Sequence, residues 1–194
     1  MNHKCCGKDK QCPFGYECCV DEDGNITCAQ QCFPSLIFPY LPGFLDEIYE
    51  NMCRWTSASR TTQDPHSAIL TLSYQTGRNL TRAKAMNRRL AKCAGPNRTR
   101  CPAGTSCDQF PFSSTLEGGI GPQAACVPIW QNNAFQAVYY NLWVSEMLNS
   151  GKLTRGERFR VKLSNINCTT FRRQDAPTAG KNPVLSRADN GMSH

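Results

Sequence analysis

Asp108 and Glu117 stand nine residues apart in the segment Cys107-Asp108-Gln109-Phe110-Pro111-Phe112-Ser113-Ser114-Thr115-Leu116-Glu117-Gly118-Gly119. The first acid opens an alternating aromatic run and the second precedes a Gly-Gly turn. A strand holding one and a loop holding the other can aim both at one point. Such a pair suits a metal, a water or a phosphate. Further on, Asn132, Asn133 and Asn141 bring amides into the same stretch of chain.

The elements that must position these groups follow from periodicity. Asp108, Phe110 and Phe112 alternate with Gln109 and Pro111, a strand pattern that Pro111 makes an edge or a bend. Residues 113–123 read as a long loop carrying Glu117, and 124–129 as the returning strand. A helix is predicted over 134–150, with Asn132 or Asn133 as its N-cap and Gly151 just past its end. Strand, loop, strand and helix make a ββα unit. Asn141 falls among apolar positions of that helix, where an amide without a partner costs about 1–3 kcal/mol.

Elsewhere, 45–55 reads as a short helix with Leu45, Ile48, Tyr49 and Met52 on one face. Residues 56–77 are polar and turn-rich. A second helix is predicted over 78–92, with a narrow stripe of Leu80, Ala83, Asn87 and Leu90. Phe159, Val161 and Leu163 alternate with Arg158, Arg160 and Lys162 in a final half-buried strand. The expected organisation is a cysteine-rich module over 1–32, a main domain over 33–170 and a flexible tail over 171–194. The fold class is α+β, disulfide-rich, with a small antiparallel sheet.

Thirteen cysteines in 194 residues point to an oxidising compartment. Seven of them lie in the first 32 residues, where apolar material is too scarce for a core and disulfides must staple the piece. Zinc prefers repeated short Cys/His spacings, and His3, His66 and His194 offer none. Among the six later cysteines, Cys107 with Cys126 is the attractive pair, at matching ends of a hairpin. Sequons at Asn25, Asn79, Asn97 and Asn167 fit an extracellular glycoprotein. No apolar signal segment follows Met1, so a mature or truncated form with an added methionine is expected. Prolines 34, 39 and 42 interrupt the apolar stretch 33–44, and no segment is long enough to span a membrane.

The formal charge is +7, and it is concentrated. Between Thr76 and Cys101 lie eight basic residues and no acid, including Arg82, Arg88, Arg89 and Arg100. That is the footprint of a polyanion binder, or of a solvated basic helix face. A monomer is expected.

The run Cys107 to Thr115, then Glu117-Gly118-Gly119, Cys126-Val127-Pro128 and Gln131-Asn132-Asn133, resembles the NucA/NucB-type secreted deoxyribonucleases. The likeness is closest to their fungal branch and spans roughly residues 45–168. Asn87-Arg88-Arg89 and Arg100-Cys101-Pro102-Ala103-Gly104 are similar as well. The resemblance implies a His-Me-finger-like ββα-metal core in which an aspartate replaces the usual histidine base. It places that base, which also touches the metal, on Asp108, and further catalytic roles on Glu117 and Asn132. The helix metal ligand falls on Asn141, with Leu142 one residue out of step and Glu146 one turn on. The cofactor implied is Mg²⁺ or Mn²⁺. Two positions depart from the family: Gln109 stands where an acid is usual, and Ala137 where a glycine is usual.

Three functions compete. The leading one is a secreted, metal-dependent DNA endonuclease with little sequence specificity. The others are a non-catalytic secreted binding or effector protein on a nuclease-like fold, and a ribonuclease. Asp108 and Glu117 favour the first, and Gln109 leans towards the second.

Overall fold

The computed structural model describes residues 12, 17–20, 26–29, 32–58, 64–119 and 121–171. Most of the expected amino-terminal module, including its turn at 21–25, lies outside the described residues. So does the expected tail beyond residue 171. Within the amino-terminal block, β1 (Glu17–Val20) and β2 (Ile26–Ala29) pair antiparallel. Disulfides Cys12–Cys28 and Cys19–Cys32 staple them.

The central sheet is three-stranded in the order β3-β7-β4. It comprises β3 (Ser35–Pro39), β4 (Ser67–Thr71) and β7 (Arg158–Ser164). β7 lies in the middle, parallel to β3 and antiparallel to β4. Its alternation is as expected: Phe159, Val161 and Leu163 are buried. Both β3 and β4 correct the sequence reading. β3 forms in the proline-broken stretch because Pro34 and Pro39 fall at the strand's rim, where the ladder needs no donor. β4 was hidden in a segment read as polar, because only Ala68, Ile69 and Leu70 mark it.

Helix α1 (Asp46–Ala58) begins where Asp46 accepts bonds from Tyr40 Oη (2.7 Å) and the Gly43 amide (3.0 Å). It turns Ile48, Tyr49, Met52 and Trp55 into the core. Helix α2 (Gly77–Leu90) buries no residue fully. The hairpin of β5 (Thr105–Phe110) and β6 (Gln123–Pro128) places Asp108 opposite Ala125 and Cys107 opposite Cys126. β5 stops just before Pro111, which has no amide hydrogen for a ladder. Helix α3 (Ala137–Asn149) follows a π-helical segment, Trp130–Gln136. It closes as expected, with Gly151 at φ +69°. Its start differs: the chain coils continuously from Trp130, so neither Asn132 nor Asn133 is the N-cap.

One core joins these elements. An aromatic chain runs from Trp55 on α1 to Phe110, then Phe112, then Tyr140 on α3, with Phe112 and Tyr140 stacked at 3.9 Å. Tyr140 and Trp143 then meet Phe159 on the central sheet. The hairpin and the sheet are thereby packed as one body around which the site is built.

The six later cysteines pair among themselves: Cys53–Cys168, Cys93–Cys107 and Cys101–Cys126. The odd cysteine therefore belongs to the first 32 residues. Cys107 and Cys126 do face each other across the hairpin, but they do not bond to each other. The loop after α2 lies over that face and supplies Cys93 to one and Cys101 to the other. No described helix is long and apolar enough to cross a membrane.

Candidate functional site

Asp108 sits on β5 with its side chain turned to α1 and the π-helical segment. It is 1 % exposed. Asn51 of α1 donates its Nδ2 to Asp108 Oδ2 at 2.8 Å. The Gln136 amide approaches the same carboxylate without completing a hydrogen bond, and its Nε2 has no partner. Burial pushes the Asp108 carboxyl up from 3.8 to about 6. The bond from Asn51, the Gln109 backbone amide, Gln136 and the positive charge of Arg88 work against that rise and lose. The outcome is an acid that changes charge just below neutral pH, the range a general base needs.

The π-helical turn explains how Gln136 arrives there. Its rings close five residues back, as in the bond from the Ala137 amide to the Asn132 carbonyl. Residues five apart then share a side, and Gln131 and Gln136 are both buried. Gln131 donates to Glu47 at 2.7 Å, while Gln136 faces Asp108. Asn132 lies between them in sequence and pins the segment to the strand. Its Nδ2 donates to Ser106 Oγ at 3.0 Å and to the Cys107 carbonyl at 3.1 Å.

Glu117 is not beside Asp108. Its carboxylate accepts from the Thr71 amide and the Thr71 hydroxyl, both at 2.8 Å, and so ties the long loop to β4. The two glycines after it let that loop close on itself. A Cβ at Gly118 would lie 2.2 Å from the Phe112 carbonyl oxygen, and one at Gly119 would lie 2.6 Å from Asn87 Oδ1. Asn87 in turn donates to the Ser113 and Thr115 carbonyls at 2.9 and 3.1 Å. Gln109, on the opposite side of β5 from Asp108, donates to the Gly118 carbonyl at 2.7 Å. An amide can make that bond and an ionised carboxylate cannot.

Asn141 differs from expectation. It is exposed, and among the described residues no hydrogen bond joins it to Asp108. Leu142 and Glu146 are exposed too. The buried face of α3 runs instead through Tyr140, whose hydroxyl meets Ser114 Oγ at 2.6 Å. The amide reasoning applied to Asn141 belongs to Asn51, which lies on the apolar face of α1 between Ile48 and Trp55 and is 1 % exposed. Gln136 was missed, because no α-helical period would have turned it inward together with Gln131.

A hydrated divalent cation does not fit this arrangement. Mg²⁺ takes six oxygens at near-octahedral geometry and keeps several waters. Here one carboxylate faces two amides, all three are at most 4 % exposed, and Asn51 presents its nitrogen to the acid. The described residues contain no group of three or more His, Cys, Asp or Glu side chains able to hold a metal.

The basic residues divide between two cavities. Arg82 lines one of about 350 Å³ with Tyr74, Asn79 and Asn87. Arg88 and Arg100 line another of about 310 Å³. Arg89 is exposed and lines neither. Residues 53–162 match the family model for deoxyribonuclease NucA/NucB. That span is more than half of the chain and contains Asp108, Glu117, Asn132 and α2, and the chain belongs to this family. No curated protein compared with it matches.

Proposed function

We propose that this member of the deoxyribonuclease NucA/NucB family is a secreted endonuclease that hydrolyses DNA phosphodiesters with little sequence preference. Asp108 is the observation that carries the reading. It lies inside the family match, faces two polar side chains in an apolar setting, and titrates at about 6. Above that pH its carboxylate accepts the proton of a water whose oxygen attacks phosphorus, while the bond from phosphorus to one sugar oxygen breaks and that oxygen takes up a proton from solvent. Asn51 and Gln136 orient the carboxyl. Because both also cover it, α1 and the π-helical segment must part where DNA enters. Exposed Arg82, Arg88, Arg89 and Arg100 draw the phosphate backbone to the protein through charge alone, which favours no base sequence. Any Mg²⁺ or Mn²⁺ would come with the substrate phosphates, since the protein offers it no ready cage. The disulfides and sequons support an extracellular setting.

A second reading rests on one observation, the sealing of Asp108. A chain that binds DNA and never uncovers the acid would be a non-catalytic binding protein on the same fold. Plasmid nicking separates the two. Purified protein is incubated with supercoiled DNA and Mg²⁺ or Mn²⁺, with and without chelator, beside Asp108→Ala. Nicking that Asp108→Ala abolishes supports the nuclease. DNA binding without nicking in either metal selects the binding protein.

A further inference from the structure

The loop that follows α2 is held at both ends. Cys93 is bonded to Cys107, and Cys101 to Cys126, and the two receiving cysteines face each other across the β5–β6 hairpin. Inside the loop, the Thr99 amide donates to the Lys92 carbonyl at 2.7 Å, and the Cys93 and Ala94 amides both reach the Arg88 carbonyl. This framework gathers Arg88, Arg98, Thr99 and Arg100 around a cavity of about 310 Å³ whose wall includes Cys93 and Cys107.

Three arginines border that space, and none of its lining residues is acidic. Among the described residues the ion pair formed is Arg54 with Glu50, far from the loop in sequence. Like charges held together by covalent bridges repel one another until an anion enters. Guanidinium forks match the oxygens of a phosphate two at a time, which ammonium groups do not. Thr99 adds a hydroxyl donor. The wall residue Cys107 points to the face of β5 opposite the Asp108 side chain, and the Arg88 charge reaches the Asp108 carboxyl from that other side.

From this geometry we infer that the Arg88–Arg98–Arg100 cavity is a built phosphate-binding subsite, framed by the two disulfides. Its ligand is a phosphate group, supplied either by a backbone diester of the strand or by a terminal monoester. The inference rests on the nuclease reading and deepens it by naming where the strand is gripped. The grip itself does not depend on cleavage.

The test uses the full oxidised chain carrying Asp108→Asn, so that no substrate is consumed. Inorganic phosphate is titrated by ³¹P NMR, and a fluorescent single-stranded 12-mer, with or without a 5′-phosphate, by anisotropy. Arg98→Ala/Arg100→Ala is compared with Arg78→Ala/Lys152→Ala, which removes the same charge from exposed sites outside the cavity. All four side chains are exposed, and far-UV circular dichroism checks the fold. The cavity pair is expected to lose phosphate and DNA affinity by about tenfold or more, with the salt slope for DNA falling by about 1. The control pair should change phosphate affinity by less than about threefold. Arg98→Lys/Arg100→Lys should recover only part of the loss, because lysine lacks the fork. Tighter binding of the 5′-phosphorylated strand assigns the ligand as a terminal monoester, and equal binding assigns a backbone diester. No phosphate binding by the parent, or equal losses in cavity and control pairs, overturns the subsite. Nicking by the chain with Asp108 intact is scored separately. Its absence alongside intact phosphate binding would refute the nuclease reading and leave the subsite standing.

Discussion

Asp108→Asn should make the protein more stable at pH 8 while removing its ability to cleave DNA. Burial raises the Asp108 carboxyl from 3.8 to about 6. The folded chain therefore holds this proton more tightly than the unfolded chain. The resulting stabilisation is fully present below about pH 4, is lost as pH rises through 6, and is absent at pH 8. One pH unit of difference corresponds to about 1.4 kcal/mol, so the ionised acid weakens the fold by roughly 3 kcal/mol at pH 8 relative to its neutral form. Asparagine is neutral at every pH and still offers an oxygen to Asn51 Nδ2, so it escapes this loss. Urea unfolding with disulfides intact, followed by tryptophan fluorescence, should show the variant about 2–3 kcal/mol more stable at pH 8. The difference should vanish near pH 3.5. In plasmid nicking the same variant should lose at least about 100-fold, the scale of a missing general base. A variant equal to or weaker than the parent at pH 8 would refute the argument that the Asp108 charge is held against its surroundings.

Three further outcomes follow from the same geometry. Asn51→Ala removes a bond that favours the Asp108 carboxylate, so the acid limb of the pH–rate profile should move to higher pH; an unmoved limb would show that Asn51 does not set the acid's titration. Gly118→Ala drives a Cβ into the Phe112 carbonyl and should cost about 2–3 kcal/mol in thermal or urea unfolding, whereas Gly119→Ala meets only the Asn87 side chain and should cost less. Cys53→Ser/Cys168→Ser opens a bridge with a sequence separation of 115 residues and should lower stability by roughly 4–5 kcal/mol on the chain-entropy account, measured by urea unfolding against the parent.

Where the sequence pattern was strong, it read the fold well. Phe159, Val161 and Leu163 marked β7 because a half-buried strand must alternate, and Gly151 marked the end of α3 because it adopts positive φ. Weak local signals failed where tertiary contacts decide. β4 is short, and its identity comes from pairing with β7 and from the bridge between Leu72 and Thr115. The disulfides could not be paired from hairpin register alone, since the loop carrying Cys93 and Cys101 reaches the hairpin only after α2 packs against the Gly118-Gly119 loop. At the candidate site, the place of Asp108 on the first strand of the hairpin was legible from the alternation of its segment. Its neighbours were not, because Asn51 is 57 residues away and Gln136 is turned inward by a π-helical period that an α-helical reading does not contain.

The contrast between the two acids of the opening motif bears on function. Glu117 accepts two bonds from Thr71 and strengthens the attachment of its loop to β4. Folding alone accounts for it. Asp108 is the reverse. Its charge is opposed by burial, and beside it the Asn51 Oδ1 and Gln136 Nε2 atoms are buried without partners. An unpartnered buried polar atom costs on the order of 1–3 kcal/mol, so three unfavourable features are concentrated around one carboxyl group. An apolar side chain at residue 108, with apolar neighbours at 51 and 136, would remove all of them. The Tyr49 hydroxyl, Gln109 Oε1, Gln131 Oε1 and Arg160 Nε are also buried without partners, but around Asp108 such atoms accompany an acid whose charge is opposed by burial. An acid held there against its surroundings is what the proposed general-base role requires, and once the site opens the free Gln136 Nε2 can donate to a phosphate oxygen while the free Asn51 Oδ1 can accept from a water.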